Sequence, residues 1–208
     1  MLFNLNYFLP QKSPISSGKV TAHFRGIKSA LLTHLSKYQH VVGCVAWMQD
    51  SDLLGAFATR EAVSIVIQKE EYLVRYSNRT MDLYLGVENR RFPSKTVFPY
   101  PLCNLGMDKD PGIGWRCVGV VSDESRPFMH HKFLVLGDVK EGAFLPQAVW
   151  TGSFNFTFNA GQSLENALFI DDPEIAKAYL QEYVDVASLS EPLSWESAFV
   201  NPEWISLF

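Results

Sequence analysis

His40-Val-Val-Gly-Cys-Val-Ala-Trp47 is short, β-branched and apolar on both faces. A strand of that kind belongs inside a sheet that is covered on two sides. Outward from it, helix and strand patterns alternate. On the N-terminal side Ile27, Leu31 and Leu35 recur every fourth residue, with Ala30, His34 and Tyr38 alongside, which predicts an amphipathic helix over 25–39. On the C-terminal side 51–59 predicts a short helix with Ser51 or Asp52 near its N-cap. Ala62-Val-Ser-Ile-Val-Ile67 then reads as a second buried strand. This order points to an α/β domain.

Further along, 70–92 is a charged, helix-compatible segment. Residues 93–115 carry Pro93, Pro99, Pro101 and Pro111 among several glycines, and read as an irregular surface loop. Loops of that length usually carry function or contact a partner. Strands return at 116–121, 132–136, 147–151 and 166–170. Asp172 can cap a last helix that has Pro173 at its first position and Glu174 in its first turn, with Ile175, Tyr179 and Tyr183 repeating along it. The tail, with Trp195 and Trp204, is too apolar for a free linker and is expected to pack on the domain or on a second subunit.

The 208 residues are 47% hydrophobic and 19% charged, a composition that suits a single domain, 1–208, with a substantial core. Eighteen Lys and Arg against 22 Asp and Glu leave a net charge of −4, which excludes a globally basic nucleic-acid binder but not a local basic cleft. No apolar run reaches membrane-spanning length, so no membrane association is expected. Met1 to Pro10 has no positive n-region and no small-residue cleavage site, and reads as part of the fold. Cys44, Cys103 and Cys117 are odd in number and form no C-x-x-C pair, which argues against a structural zinc or redox motif. Cys44 reads as a small core residue, and the whole pattern as a reduced, cytoplasmic protein.

Two segments carry chemistry. In Phe128-Met-His-His-Lys-Phe-Leu-Val-Leu-Gly-Asp138, His130 and Lys132 open a buried strand, and residues two apart project from one face. His131 points the other way. Alone, such a pair is an ordinary solvated strand edge. The second segment, Thr151-Gly-Ser-Phe-Asn-Phe-Thr157, puts Ser153 and Asn155 on one face after the next strand, and Leu164-Glu-Asn166 puts Glu165 just before another. A polar cluster at neighbouring strand ends is not what a core would keep. The lysine and asparagine can donate to phosphate oxygens, and the glutamate can hold one imidazole nitrogen so that the other is free to attack.

On these residues the chain resembles the phospholipase D superfamily, whose signature is H-x-K-x4-D followed by G-S-x-N. The matches are His130, Lys132, Gly152, Ser153 and Asn155, with Glu165-Asn166 like the family's downstream E-N. The resemblance implies an α/β fold with a mixed sheet flanked by helices on both faces. It departs at one position: Gly137 stands where the family has aspartate, with Asp138 next, and a small bulge at the glycine would let Asp138 substitute. The implied reaction is two-step phosphodiester transfer. One histidine attacks phosphorus, a second protonates the leaving oxygen and then activates water, and lysines and asparagines stabilise the phosphorane without a metal or other cofactor. This chain has one H-x-K, so the implied site is completed by a homodimer in which each subunit supplies His130, Lys132 and Asn155.

The motif does not choose between nucleic-acid and phospholipid phosphodiesters. Small single-motif members resemble nucleases, and this chain has no amphipathic basic helix for a bilayer. The leading expectation is therefore a non-specific nuclease acting on DNA or RNA. Alternatives are a phospholipid phosphodiesterase and an inactive module that binds nucleic acid or a partner. Arg75, Arg79, Arg90, Arg91 and Lys95, with Arg126 just before His130, are candidates to track phosphates, or form a solvated charged face. Phe154, Phe156 and Phe158 alternate and are expected in the core. The loop at 93–115 and the apolar tail leave room for a targeting protein partner.

Overall fold

The computed structural model describes residues 4–69, 78–93, 96–100, 102, 114–119 and 128–193. Its strands are β1 (Ile15–Ser17), β2 (Val20–His23), β3 (His40–Val45), β4 (Ala62–Gln68), β5 (Trp115–Val118), β6 (Lys132–Lys140), β7 (Ala143–Gly152), β8 (Ala167–Ile170) and β9 (Glu191–Pro192). They form one mixed sheet in the order β1-β2-β8-β7-β6-β3-β4-β5-β9. Pairing is parallel for β3 with β4 and β4 with β5, and antiparallel elsewhere. Helices α1 (Ile27–Leu35), α2 (Ser51–Ala58), α3 (Asn78–Glu88) and α4 (Pro173–Ser188) cover it on both faces.

Strand alternation explains the two layers. Val41 and Val45 of β3, with Val63, Ile65 and Ile67 of β4, pack on Leu31, Leu54, Phe57, Tyr84 and other side chains of α1, α2 and α3. Val42 and Cys44, one residue out of phase, face the opposite layer with Leu180, Tyr183 and Val184 of α4. Cys44 is thus a core residue, and burial pushes its thiol pKa well up. A polar residue on that side, Ser64, accepts a 2.7 Å bond from the buried Tyr183 hydroxyl.

The helix signals act as expected at α4, where Asp172 accepts from the Glu174 and Ile175 amides and Pro173 opens the helix. At α2 the cap is Asp50, one residue before the expected Ser51 or Asp52. Its carboxylate accepts from the Asp52 and Leu53 amides and pairs with Lys28 at 2.8 Å, so one side chain both caps α2 and ties it to α1. The β1–β2 hairpin carries no sequence signal, because β1 is exposed at every position. Strands β6 and β7 run longer than expected and meet in a tight turn at Glu141-Gly142, both with positive φ.

Gly137 and Asp138 lie far along that hairpin. The register shifts there: Leu136 faces Ala148 but Gly137 faces Pro146, so the extra residue, Gln147, is on β7. A Cβ at 137 would overlap the Leu145 carbonyl, so the absence of a side chain is what permits the strands to close. Asp138 accepts from Gln147 Nε2 at 3.2 Å and stands 3.8 Å from His40 Nδ1. It holds strand ends together. Arg75, Lys95, Cys103, Arg126, Trp195 and Trp204, and most of the expected 93–115 loop, lie outside the described residues.

Candidate active site

Four strand ends converge at one edge of the sheet. The end of β3 and the start of β6 pair Val45 with Lys132, and the start of β6 and the end of β7 pair Phe133 with Thr151. Gly152 at the end of β7 faces Ala167 at the start of β8. A side chain at Gly152 would strike the Asn166 carbonyl, so only glycine lets Ser153 approach β8.

His130 precedes β6 on a clamped backbone. The Met129 amide donates to Gln68 Oε1 at 3.0 Å, the Ala46 amide to the His131 carbonyl at 2.9 Å, and Lys132 Nζ to the His130 carbonyl at 2.6 Å. The imidazole is exposed, with ring centroids 5.3 Å from Trp47 and 5.2 Å from Phe128, both edge to face. Desolvation, followed by the nearby Lys132 and His131 charges, lowers its pKa, so it is neutral at pH 7. Lys132 is only 8% exposed, with its ammonium 5.7 Å from the Trp47 ring centre. Burial pushes its pKa down to about 8, while the Glu165 carboxylate acts in the opposite sense.

Ser153 and Glu165 form a pair: the Ser153 hydroxyl donates to Glu165 Oε2 and accepts from the Asn166 amide at 3.1 Å. The expected bond from Glu165 to an imidazole is not made; the carboxylate is engaged by Ser153 instead, and its link to Lys132 is electrostatic. Asn155 sits beside Phe156, whose amide donates to the Trp47 carbonyl at 3.0 Å, and its Oδ1 is buried without a partner among the described residues. His131 does face away, with Nε2 2.9 Å from Glu182 on α4. On the side to which His131 turns, a cleft of about 380 Å³ is lined by His130, His131, Lys132, Tyr179 and Glu182.

The structure therefore brings His130, Lys132, Ser153, Asn155 and Glu165 to one edge, but it does not bring Arg90 and Arg91 there. The Arg90 carbonyl accepts from the Val63 amide near the start of β4, whereas the site adjoins Gln68 at its end. Five strand residues separate those points, roughly 16 Å. Arg126 lies outside the described residues. Phe154 and Phe156 are core residues as expected, but Phe158 is 57% exposed. Three residues of the site carry no motif signal: Gln68 ends a continuous apolar run, Trp47 reads as the last core residue of its strand, and Phe128 precedes the H-x-K. Among the described residues no group of three or more His, Cys, Asp or Glu is gathered that could hold a metal ion, and no helix is long and apolar enough to cross a membrane.

Comparison with known proteins agrees with this geometry. A family model described as "Cardiolipin synthase, PLD-like domain" matches residues 112–186, the stretch that holds every residue of the motif. An uncharacterized protein, L381, of Acanthamoeba polyphaga mimivirus is 26% identical over 203 residues, covering 89% of this chain and 71% of the relative. The mitochondrial cardiolipin hydrolase of Xenopus tropicalis is 39% identical over 80 residues, covering 38% of this chain. That of Xenopus laevis is 43% identical over 67 residues. The chain spans about a third of the length of these two hydrolases, 34% and 28%. In fold, it is similar to the phospholipase D family member Nuc from Salmonella typhimurium, with a TM-score of 0.55 at 17% identity over 87% of this chain and 99% of the other. NucT from Helicobacter pylori gives a TM-score of 0.56 at 14% identity over 84% and 99%. With the paired His130-x-Lys132 and Gly152-Ser153-x-Asn155 at adjoining strand ends, residues 112–186 are similar to a PLD-like domain and the chain has the fold of the phospholipase D family member Nuc.

Proposed function

We propose that this protein is a metal-independent phosphodiesterase, a non-specific endonuclease that hydrolyses DNA or RNA through a phosphohistidine at His130. The observation that carries the reading is a neutral, exposed imidazole beside a buried ammonium, at an edge shared with the Ser153–Glu165 pair. The imidazole attacks phosphorus, and the bond from phosphorus to the leaving oxygen breaks as that oxygen takes a proton from a second histidine. That histidine then removes a proton from water, which attacks phosphorus and expels His130. Lys132 and Asn155 donate to the non-bridging oxygens while charge builds on them.

The second histidine has to come from elsewhere. His23 and His34 are held under α1 against Trp150 and Phe169, His40 lies at the far end of β6, and His131 turns to Glu182. His130 of a second copy related by a twofold axis completes the set in this reading. The test is digestion of labelled single- and double-stranded DNA and RNA in excess EDTA, beside His130→Ala. Cleavage that survives EDTA and vanishes in the variant is the expected result; no cleavage by a folded, dimeric wild-type protein refutes the reading.

A lipid phosphodiester is the second reading. It is favoured by the identity to the two cardiolipin hydrolases and by exposed Phe24, Phe128, Phe158 and Leu164 around the same edge. Hydrolysis of cardiolipin vesicles with no cleavage of any polynucleotide would select it.

A further inference from the structure

Phe128 does not behave as a core residue. It is 51% exposed, two residues before His130, with its ring centroid 5.2 Å from the imidazole. Its inner face lies over Trp47, at 6.3 Å between centroids and 28° between planes, and the Lys132 ammonium stands 5.7 Å from that same indole. An aromatic ring is thus held on a rigid backing, beside the nucleophile, with a face turned to solvent. Folding gains little from leaving it there, since about half of its surface stays in water.

We propose that Phe128, backed by Trp47, is a stacking platform for the unpaired base next to the scissile phosphate, so that the site takes single-stranded nucleic acid. The inference rests on the nuclease reading above. A phosphate seated against His130 and Lys132 has its attached nucleoside within reach of a ring that touches the imidazole. In a duplex both faces of each base are covered by its neighbours, which leaves none for Phe128. In a single strand a face is free, and every base has one, so the platform orients the strand without reading its sequence. Stacking of this kind changes affinity by roughly 10- to 100-fold per base. Phe24, Phe158 and Leu164 are exposed apolar groups, but among the described residues the rings against His130 are those of Trp47 and Phe128.

The test compares wild type, Phe128→Leu and Phe128→Trp on a labelled oligodeoxynucleotide in which all linkages but one are methylphosphonate. A matching strand carries an abasic sugar beside the cleavable bond, and a third substrate is the duplex. Leucine keeps the apolar surface but has no π-face, and the site is exposed, so folding is spared; sedimentation checks that the variant assembles as wild type does. The expected result is that wild type cuts the normal strand about ten-fold or more faster than the abasic strand or the duplex. Phe128→Leu cuts the normal strand as slowly as wild type cuts the abasic one, with no further loss on the abasic strand, and Phe128→Trp resembles wild type. Equal rates for wild type and Phe128→Leu, or for the normal and abasic strands, overturn the platform while leaving the nuclease reading intact. A Phe128→Leu protein that no longer assembles assigns the ring to subunit contact and also overturns it. Absence of any oligonucleotide cleavage by wild type, with hydrolysis of cardiolipin vesicles, overturns both.

Discussion

Replacing Gln68 by leucine tests how the nucleophile is held. The Gln68 carboxamide is 3% exposed and joins two backbones: Oε1 accepts from the Met129 amide at 3.0 Å, and Nε2 donates to the Lys69 carbonyl at 3.3 Å. Leucine has similar bulk and neither polar atom, so a buried amide and a carbonyl each lose a partner. That costs about 1–3 kcal/mol in stability, read as a lower urea midpoint at unchanged m-value. The kinetic effect is separate. Ala46 and Lys132 keep their bonds to the 129–131 backbone, but the bond nearest Phe128 is gone. Displacement of His130 by a fraction of an ångström to 1 Å lowers kcat by about 10- to 100-fold. KM stays within about three-fold, because Lys132 and Asn155 still meet the phosphate. Gln68→Glu keeps an acceptor for Met129 and retains most of kcat. A Gln68→Leu enzyme that loses stability but keeps kcat within two-fold of wild type would show that the clamp supports the fold and not the nucleophile, and the reasoning fails.

Three further outcomes follow from the site and its surroundings. Restoring the family's aspartate with Gly137→Asp destabilises by about 3 kcal/mol or more, because the new side chain overlaps the Leu145 carbonyl and buries a carboxylate; a variant that melts at the wild-type temperature refutes this. The reaction needs one His130 neutral and its twofold mate protonated, so kcat/KM passes through a maximum below pH 6.5, where burial puts the His130 pKa, and loses a further contribution near pH 8 as Lys132 loses its proton; a profile flat from about pH 5 to 9 refutes this. Burial, then the Lys37 and His23 charges, lowers the His34 pKa to about 4, with Asp171 opposing, and burial lowers that of His23. The unfolded chain therefore binds more protons between pH 6.5 and 4. Stability is full above 6.5 and is lost toward 4, by on the order of 1–2 kcal/mol for His34 after allowance for screening at a half-buried ring. The urea midpoint falls more between pH 7 and pH 4.5 in wild type than in His34→Phe; equal falls refute the assignment.

Some features are legible from residue order because their physics is local. The apolar runs of β3 and β4 announce burial on both faces, since adjacent side chains point to opposite layers and neither layer tolerates a polar residue without a partner. Asp172-Pro173-Glu174 marks the start of α4 through caps made within a single turn. Other features depend on what lies across the sheet. Asp50, not Ser51 or Asp52, caps α2, and its Lys28 partner sits on another helix. Strands β6 and β7 extend past Gly137 and Pro146, beyond the expected spans 132–136 and 147–151, because the two residues face each other at a bulge. Arg90 and Arg91 precede the motif in a basic stretch, yet the course of β4 puts them at the wrong end of the sheet.

The same division holds for the candidate site. The residue types and their spacing, His130-x-Lys132 and Gly152-Ser153-x-Asn155 with Glu165 beyond, are set by the chain alone, because period-two alternation puts each pair on one face of its strand. Only the tertiary structure decides what surrounds them. Gln68 and Ala46 come from strands distant in sequence to clamp 129–131, Trp47 and Phe128 close on the imidazole, and Ser153 takes the carboxylate that was expected to reach a histidine. Strand spacing and pleat fix those contacts, and they act between residues that no local pattern connects.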